Sequence, residues 1–124
     1  MKVLVVSHTY ISPINRDKWV VLANRHPDCF ISVIFPKQWP THLFKHTAII
    51  KPEENTNNCT FTALDTHHQG NELLYWYNHK QLYKLIKQTN PDIVHVEQGA
   101  SAISYLQANL YTKLLAPRAK TVFF

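Results

Sequence analysis

Apolar residues in this chain fall into short continuous runs that alternate with amphipathic stretches. Lys2–Val6 is the first run, valine-rich and followed by polar residues, as a strand buried on both faces requires. Ser7–Ile14 is a polar turn. A helix is predicted to begin near Pro13–Asn15, with Ser12 or Asn15 as its cap and Pro13 suited to its first position. Asp17 then lies in the first turn, where a negative charge complements the helix dipole. Trp19, Val20, Leu22 and Ala23 form a mixed apolar face, and His26-Pro27-Asp28 ends the helix. Cys29–Phe35 predicts a second buried strand, stopped by Pro36. Strand, helix and strand within about 35 residues have the size of a right-handed βαβ unit.

Lys37–Lys45 is irregular. Ala48-Ile49-Ile50 and Thr60–Leu64 read as two short strands, a hairpin joined by the polar, turn-rich Lys51–Cys59 loop. A long helix is predicted over Glu72–Thr89, opened by Gly70-Asn71. Its core-facing triplet is Leu82, Leu85 and Ile86, with Leu74 or Tyr75 a turn or two earlier. Asn90-Pro91 stops it, because the residue before proline disfavours the helical region. Ile93–Val96 is the next buried strand. Gly99–Ser101 turns into a further helix, on which Ile103, Leu106, Leu110 and Leu114 make one apolar face until Pro117. Lys120–Phe124 is a last apolar strand. Alternating buried strands and helices predict an α/β fold: a doubly wound, mainly parallel, Rossmann-like sheet in a three-layer αβα arrangement. Residues 1–124 are expected to form one domain. Because the final strand has nothing after it to cover it, the domain is expected to be the N-terminal half of a longer two-domain protein.

The charged share of 17% is below the usual value of about 25%, which argues against disorder. No apolar run approaches the roughly 20 residues of a membrane helix, and Met1–Val6 is too short for a signal peptide. A cytoplasmic protein is expected. Cys29 and Cys59 sit in apolar surroundings and read as buried reduced thiols rather than a disulfide framework. The net charge of +5 allows an anionic partner, but the lysines are dispersed and no nucleic-acid-binding module is present, so no nucleic acid is expected. Tyr75-Trp76-Tyr77, with Lys80, Lys84 and Lys87 on the same predicted helix, offers a peripheral contact for an anionic membrane.

With only Gly70 and Gly99, the chain has no dinucleotide fingerprint, no Walker A loop and no G-x-S-x-G elbow. A phosphoacceptor receiver domain needs an acidic pair after its first strand, where this chain has Ser7-His8. His42 and His46 are four apart but lack an H-E-x-x-H frame. His67 and His68 diverge on regular structure, so no metal site is expected. His95, inside a strand, reads as a satisfied core histidine. Ligands of such sheets bind outside the carboxyl ends of the strands, at the reversal of strand order. That rule selects the loops Ser7–Arg16, Pro36–Trp39, Asp65–His68 and Glu97–Ser101. Their polar groups are Ser7, His8, Thr9, Tyr10, Asn15, Arg16, Asp65, His67, His68, Glu97 and Gln98. His8 and Glu97-Gln98 stand out, since they follow the two strands expected to be central.

Pro91-Asp92-Ile93-Val94-His95-Val96-Glu97, after a basic amphipathic helix, resembles the "PDIVHVH" strand of family 4 glycosyltransferases. Met1–His8 is similar to their first strand. Leu22-Ala23-Asn24-Arg25 followed by Ser32-Val33-Ile34-Phe35-Pro36 is similar to their "LA…G-H-x-V-x-V" passage. The resemblance runs in order over nearly the whole chain. It implies the N-terminal, acceptor-side half of a retaining GT-B enzyme that moves a sugar from a nucleotide-sugar donor. It implies acceptor contacts by His8, Thr9, Arg16, Glu97 and Gln98, with a sugar or glycolipid as acceptor. The donor is expected to bind a C-terminal half, leaving no cofactor in this chain, which alone is expected to be inactive. The chain departs from the family in having no glycine pair in the Ser7–Arg16 loop, and Glu97 where many members have a second histidine. The alternative is a stand-alone flavodoxin-like binding or interaction domain.

Overall fold

A computed structural model describes residues 1–41 and 45–124. In chain order the elements are β1 (Lys2–Val6), α1 (Asp17–Arg25), β2 (Phe30–Pro36), β3 (Gln38–Pro40), β4 (Lys45–Thr47), β5 (Cys59–Leu64), β6 (Thr66–His67), β7 (Trp76–Tyr77), α2 (His79–Thr89), β8 (Ile93–Val96), α3 (Ile103–Leu115) and β9 (Lys120–Phe123). Five of the strands form one parallel sheet in the order β5-β2-β1-β8-β9. Counted along the chain, this is 3-2-1-4-5, the Rossmann order; a flavodoxin-like sheet would run 2-1-3-4-5. The fold is therefore the doubly wound α/β sheet that the hydrophobic pattern predicts.

The sheet separates two apolar layers. On one side Leu4, Val6, Ile34, Val94 and Val96 pack with Leu82 and Ile86 of α2 and Ala108 of α3. On the other, Val3, Val5, Ile31, Val33, Phe35 and Phe61 pack with Ala23 and Trp19 of α1. This division follows from the strand period of two: the alternate residues of β1 and β2 serve opposite layers. Cys29 and Cys59 are buried free thiols, and burial pushes the Cys59 thiol up to about 11.

Four expectations are corrected. First, α1 begins at Asp17, after two short 3-10 turns at His8–Ile11 and Pro13–Asn15. Neither Ser12 nor Asn15 caps it; Ser7 caps the first 3-10 turn through the Thr9 N–H. Second, Ala48–Ile50 is not a strand. The local hairpin is β3 with β4, and β5 instead joins β2 in parallel, Ile31 beside Cys59. The buried alternate residues of β5, Cys59 and Phe61, complete the α1-side layer, which a hairpin with the half-exposed 48–50 segment would not do.

Third, residues 72–78 are not helical. Tyr75 and Tyr77 are fully buried and Trp76 is half-buried, an alternation that belongs to a strand. Gln107 holds this segment by its main chain. Its Oε1 accepts from the Tyr77 N–H at 2.9 Å and its Nε2 donates to the Tyr77 carbonyl at 2.8 Å. Asn78 then caps α2, its Oδ1 accepting from Gln81 N–H. Tyr75-Trp76-Tyr77 thus presents one ring near solvent rather than a helical aromatic face. Fourth, the apolar face of α3 points away from the sheet: Ile103, Leu106, Leu110 and Leu114 are all exposed, while Ser104, Gln107, Ala108 and Thr112 face inward.

Candidate functional site

The chain passes from β1 to β2 and β5 on one side of the sheet, then to β8 and β9 on the other, so strand order reverses between β1 and β8. Their carboxyl ends sit side by side, Val6 opposite Val96. The Glu97 N–H donates to the Val6 carbonyl at 3.0 Å, and the buried Ser7 hydroxyl reaches the Glu97 carbonyl at 3.4 Å. Residues 90 positions apart thereby share one edge.

Gln98 Nε2 donates to His8 Nδ1 at 2.6 Å. That contact leaves the proton of a neutral imidazole on Nε2, which lies 3.3 Å from the Glu72 carboxylate. His8 stacks on Trp39, with ring centroids 4.4 Å apart, and meets the edge of Tyr75. Burial pulls the His8 pKa below its usual value against the opposing pull of Glu72, so the ring is neutral at pH 7. Trp39 also lines a depression of about 530 Å³ with Pro40, Thr41, Gln69, Gly70 and Asn71.

Glu97 turns to the opposite side of the sheet from Gln98, because consecutive residues of extended chain alternate. It accepts from Lys18 Nζ at 2.9 Å and from His95 Nε2 at 3.3 Å. Partial burial works against its charge, but the Tyr10 hydroxyl nearby, Lys18 and His95 outweigh burial and hold the carboxyl below its usual range. Burial, and then the Glu97 carboxylate, push the Tyr10 phenol far above its usual value. Trp19 closes this group by meeting the His95 ring edge-on. His95 is therefore half-buried and engaged in a charged cluster, not enclosed in the core.

The five residues singled out in the sequence divide accordingly. His8 and Gln98 are brought into contact. Glu97 is on the same edge but in a second cluster. Thr9 is held by Ser7, hydroxyl to hydroxyl at 3.0 Å, and its carbonyl accepts from Asn15 Nδ2. Arg16 belongs to neither cluster. It is 1% exposed, pairs with Glu54 at 2.6 Å, and donates to the carbonyls of Ile49 and Ile11 while lying over Phe35 and Phe61. Asp65 is exposed and tied to Lys37 and Gln81, and His67 stacks on Trp76.

Trp39, Glu72, Tyr75 and Lys18 were not singled out for this site by sequence reasoning. Trp39 was within reach, since the Pro36–Trp39 loop follows the carboxyl end of β2. Glu72 and Tyr75 were hidden by their assignment to a helix. Among the described residues, no group of three His, Cys, Asp or Glu side chains is placed to hold a metal ion. His42 lies outside the described residues. No helix among the described residues is long and apolar enough to cross a membrane.

No protein-family model and no curated protein sequence matches the chain. The functional reading therefore rests on the edge geometry and on the residues that resemble the glycosyltransferase strands.

Proposed function

We propose that this chain is the acceptor-binding half of a retaining GT-B glycosyltransferase, which transfers a sugar from a nucleotide-sugar donor held by a second domain. The observation that carries the reading is the pairing of His8 with Gln98 against Trp39 and Tyr75 at the β1–β8 reversal. An aromatic wall beside convergent polar groups suits a sugar acceptor, whose ring has apolar C–H faces and a rim of hydroxyls. The neutral His8 imidazole and the Gln98 amide would bind and orient an acceptor hydroxyl. The Glu97 carboxylate, held ionised by Lys18 and His95, would accept from a second hydroxyl. A cytoplasmic location and a glycolipid acceptor at the inner membrane face fit the same reading. The Rossmann strand order weighs against the flavodoxin-like alternative.

The test is a transfer assay on the polypeptide encoded by the complete reading frame, with a panel of labelled nucleotide sugars. His8→Ala and Glu97→Ala should each reduce kcat/KM by roughly 10²-fold, the usual cost of losing a positioning contact. Normal turnover in both variants, or a frame that closes at the Phe124 codon, overturns the proposal.

A further inference from the structure

The outward face of α2 and α3 joins the strongest exposed apolar stripe in the described chain to a cluster of lysines. Along α3, Ile103, Leu106, Leu110 and Leu114 are 39%, 54%, 55% and 68% exposed. Their spacing of three, four and four places them in one row, about 17 Å long at 1.5 Å per residue. The Ile103 N–H donates to the Leu73 carbonyl, so the exposed Leu73 extends the row beyond the helix. Trp76, His79 and Tyr111 line a shallow cavity of about 400 Å³ with Ile103, Leu106 and Leu110.

The neighbouring helix supplies the charge. Tyr83 and His79 of α2 contact Tyr111 of α3, which fixes how the two helices face each other. Leu82 and Ile86 point into the core, so Lys80, Lys84 and Lys87 stand on the outer face of α2. Lys113 lies on the outer side of α3. Neither helix contains an Asp or a Glu.

We propose that this face docks on an anionic lipid bilayer, with α3 lying in the plane of the interface. The leucine row and Trp76 would enter the headgroup–acyl boundary, and Lys80, Lys84, Lys87 and Lys113 would meet lipid phosphates. Charge complementarity selects this occupant. A second copy packed on the same face would bring eight lysines together with no carboxylate from either helix to offset them. A zwitterionic surface would leave the lysines without a counter-charge. Half-buried Trp76 and Tyr111 line the cavity beside Leu106 and Leu110, and such amphipathic rings suit a boundary between apolar and wet surroundings. The surface keeps Trp76, Lys80, Lys84 and Lys87 of the contact that the sequence suggests, and the α3 leucine row takes the place of Tyr75 and Tyr77, which are buried. It is also independent of the sugar-transfer reading, because no residue in it belongs to the β1–β8 edge.

The experiment is vesicle flotation of the 124-residue chain at low and high salt. The vesicles are phosphatidylcholine alone, or phosphatidylcholine mixed equally with phosphatidylglycerol. Three proteins are compared: the parent, Leu106→Glu/Leu110→Glu, and Lys80→Gln/Lys84→Gln/Lys87→Gln, with circular dichroism reporting the fold. All five altered positions are exposed, so the fold should be retained. The parent should float with the anionic vesicles only, and salt should release it. Each lysine is worth roughly fivefold in affinity near such a surface, so the triple variant should bind on the order of 100-fold more weakly. The leucine variant should not float. Failure of the parent to bind anionic vesicles, equal binding to both compositions, or unchanged binding by both folded variants overturns the proposal. So does a concentration-dependent dimer that the leucine variant abolishes, which would assign the face to a second copy.

Discussion

Arg16 is the residue whose role the tertiary structure changes most, and its removal tests that change. Arg16→Met keeps an apolar stem of similar length over Phe35 and Phe61. It removes the ion pair to Glu54, which is itself only 19% exposed, and the donors that satisfy the carbonyls of Ile49 and Ile11. Leaving one partner of a buried pair uncompensated costs about 3–5 kcal/mol. Each orphaned carbonyl adds a penalty of up to about 1–3 kcal/mol if water cannot reach it. The opposing gain is relief of the Arg16 Nε, which is buried without a hydrogen-bond partner. A net loss of about 3–5 kcal/mol is expected, equivalent to a fall in Tm of about 10–20 °C for a domain of this size. The assay is urea unfolding followed by tryptophan fluorescence and circular dichroism, with Glu54→Gln and the double variant completing a cycle. The two residues should couple by about 1–3 kcal/mol, and the double variant should cost less than the sum of the singles. A loss below about 1 kcal/mol, with no coupling, would refute the reasoning. Arg16 would then be spare in the fold and free to hold a ligand, as the resemblance implies.

Three further outcomes follow from the same structure. His8 has its pKa depressed by burial, so the folded chain binds fewer protons than the unfolded chain below pH 6.5. Stability should rise with pH through that region, be fully present above it, and decline as the solution is acidified. His8→Gln should flatten that slope in thermal melts between pH 7 and pH 5.5, and an unchanged slope would assign it to other groups. Gln107→Leu strips both main-chain contacts from Tyr77 and should cost about 2–4 kcal/mol in denaturant melts, with faster hydrogen exchange at the Tyr77 amide. Gly70 has φ +89°, and a Cβ there would lie 2.9 Å from the Pro40 carbonyl oxygen. Gly70→Ala should therefore cost about 1–3 kcal/mol, and a neutral effect would show that the 68–71 turn relaxes freely.

Much of the fold was legible because buried parallel strands write themselves as continuous apolar runs. The runs at Lys2–Val6 and Ile93–Val96, bounded by Pro or polar turns, mark strands whichever neighbours they find. The strand-reversal rule then located the edge where His8 and Gln98 meet, because it depends on topology more than on residue detail. The sites of error share one cause. Tyr75-Trp76-Tyr77 lies next to a true helix, and local pattern could not show that Trp76-Tyr77 would pair with Thr66-His67, or that Gln107, thirty residues later, would hold the Tyr77 main chain. β5 looked like half of a hairpin, because nothing local says that its partner is β2 rather than the preceding segment.

Arg16 and α3 mark the boundary between local and tertiary information. The sequence alone determined that Arg16 follows the first strand and that α3 carries an apolar stripe. Only the tertiary structure decided that Glu54 and the Ile49 carbonyl meet Arg16 in the interior, and that Ala108 and Thr112, not the leucines, pack inward. Periodicity reports that a helix face is apolar. Which face the sheet covers depends on the shape left by neighbouring elements. Beneath α3 the rings of Tyr75 and Tyr77 already supply bulk, so the helix places Ser104, Ala108 and Thr112 inward and turns its leucines outward.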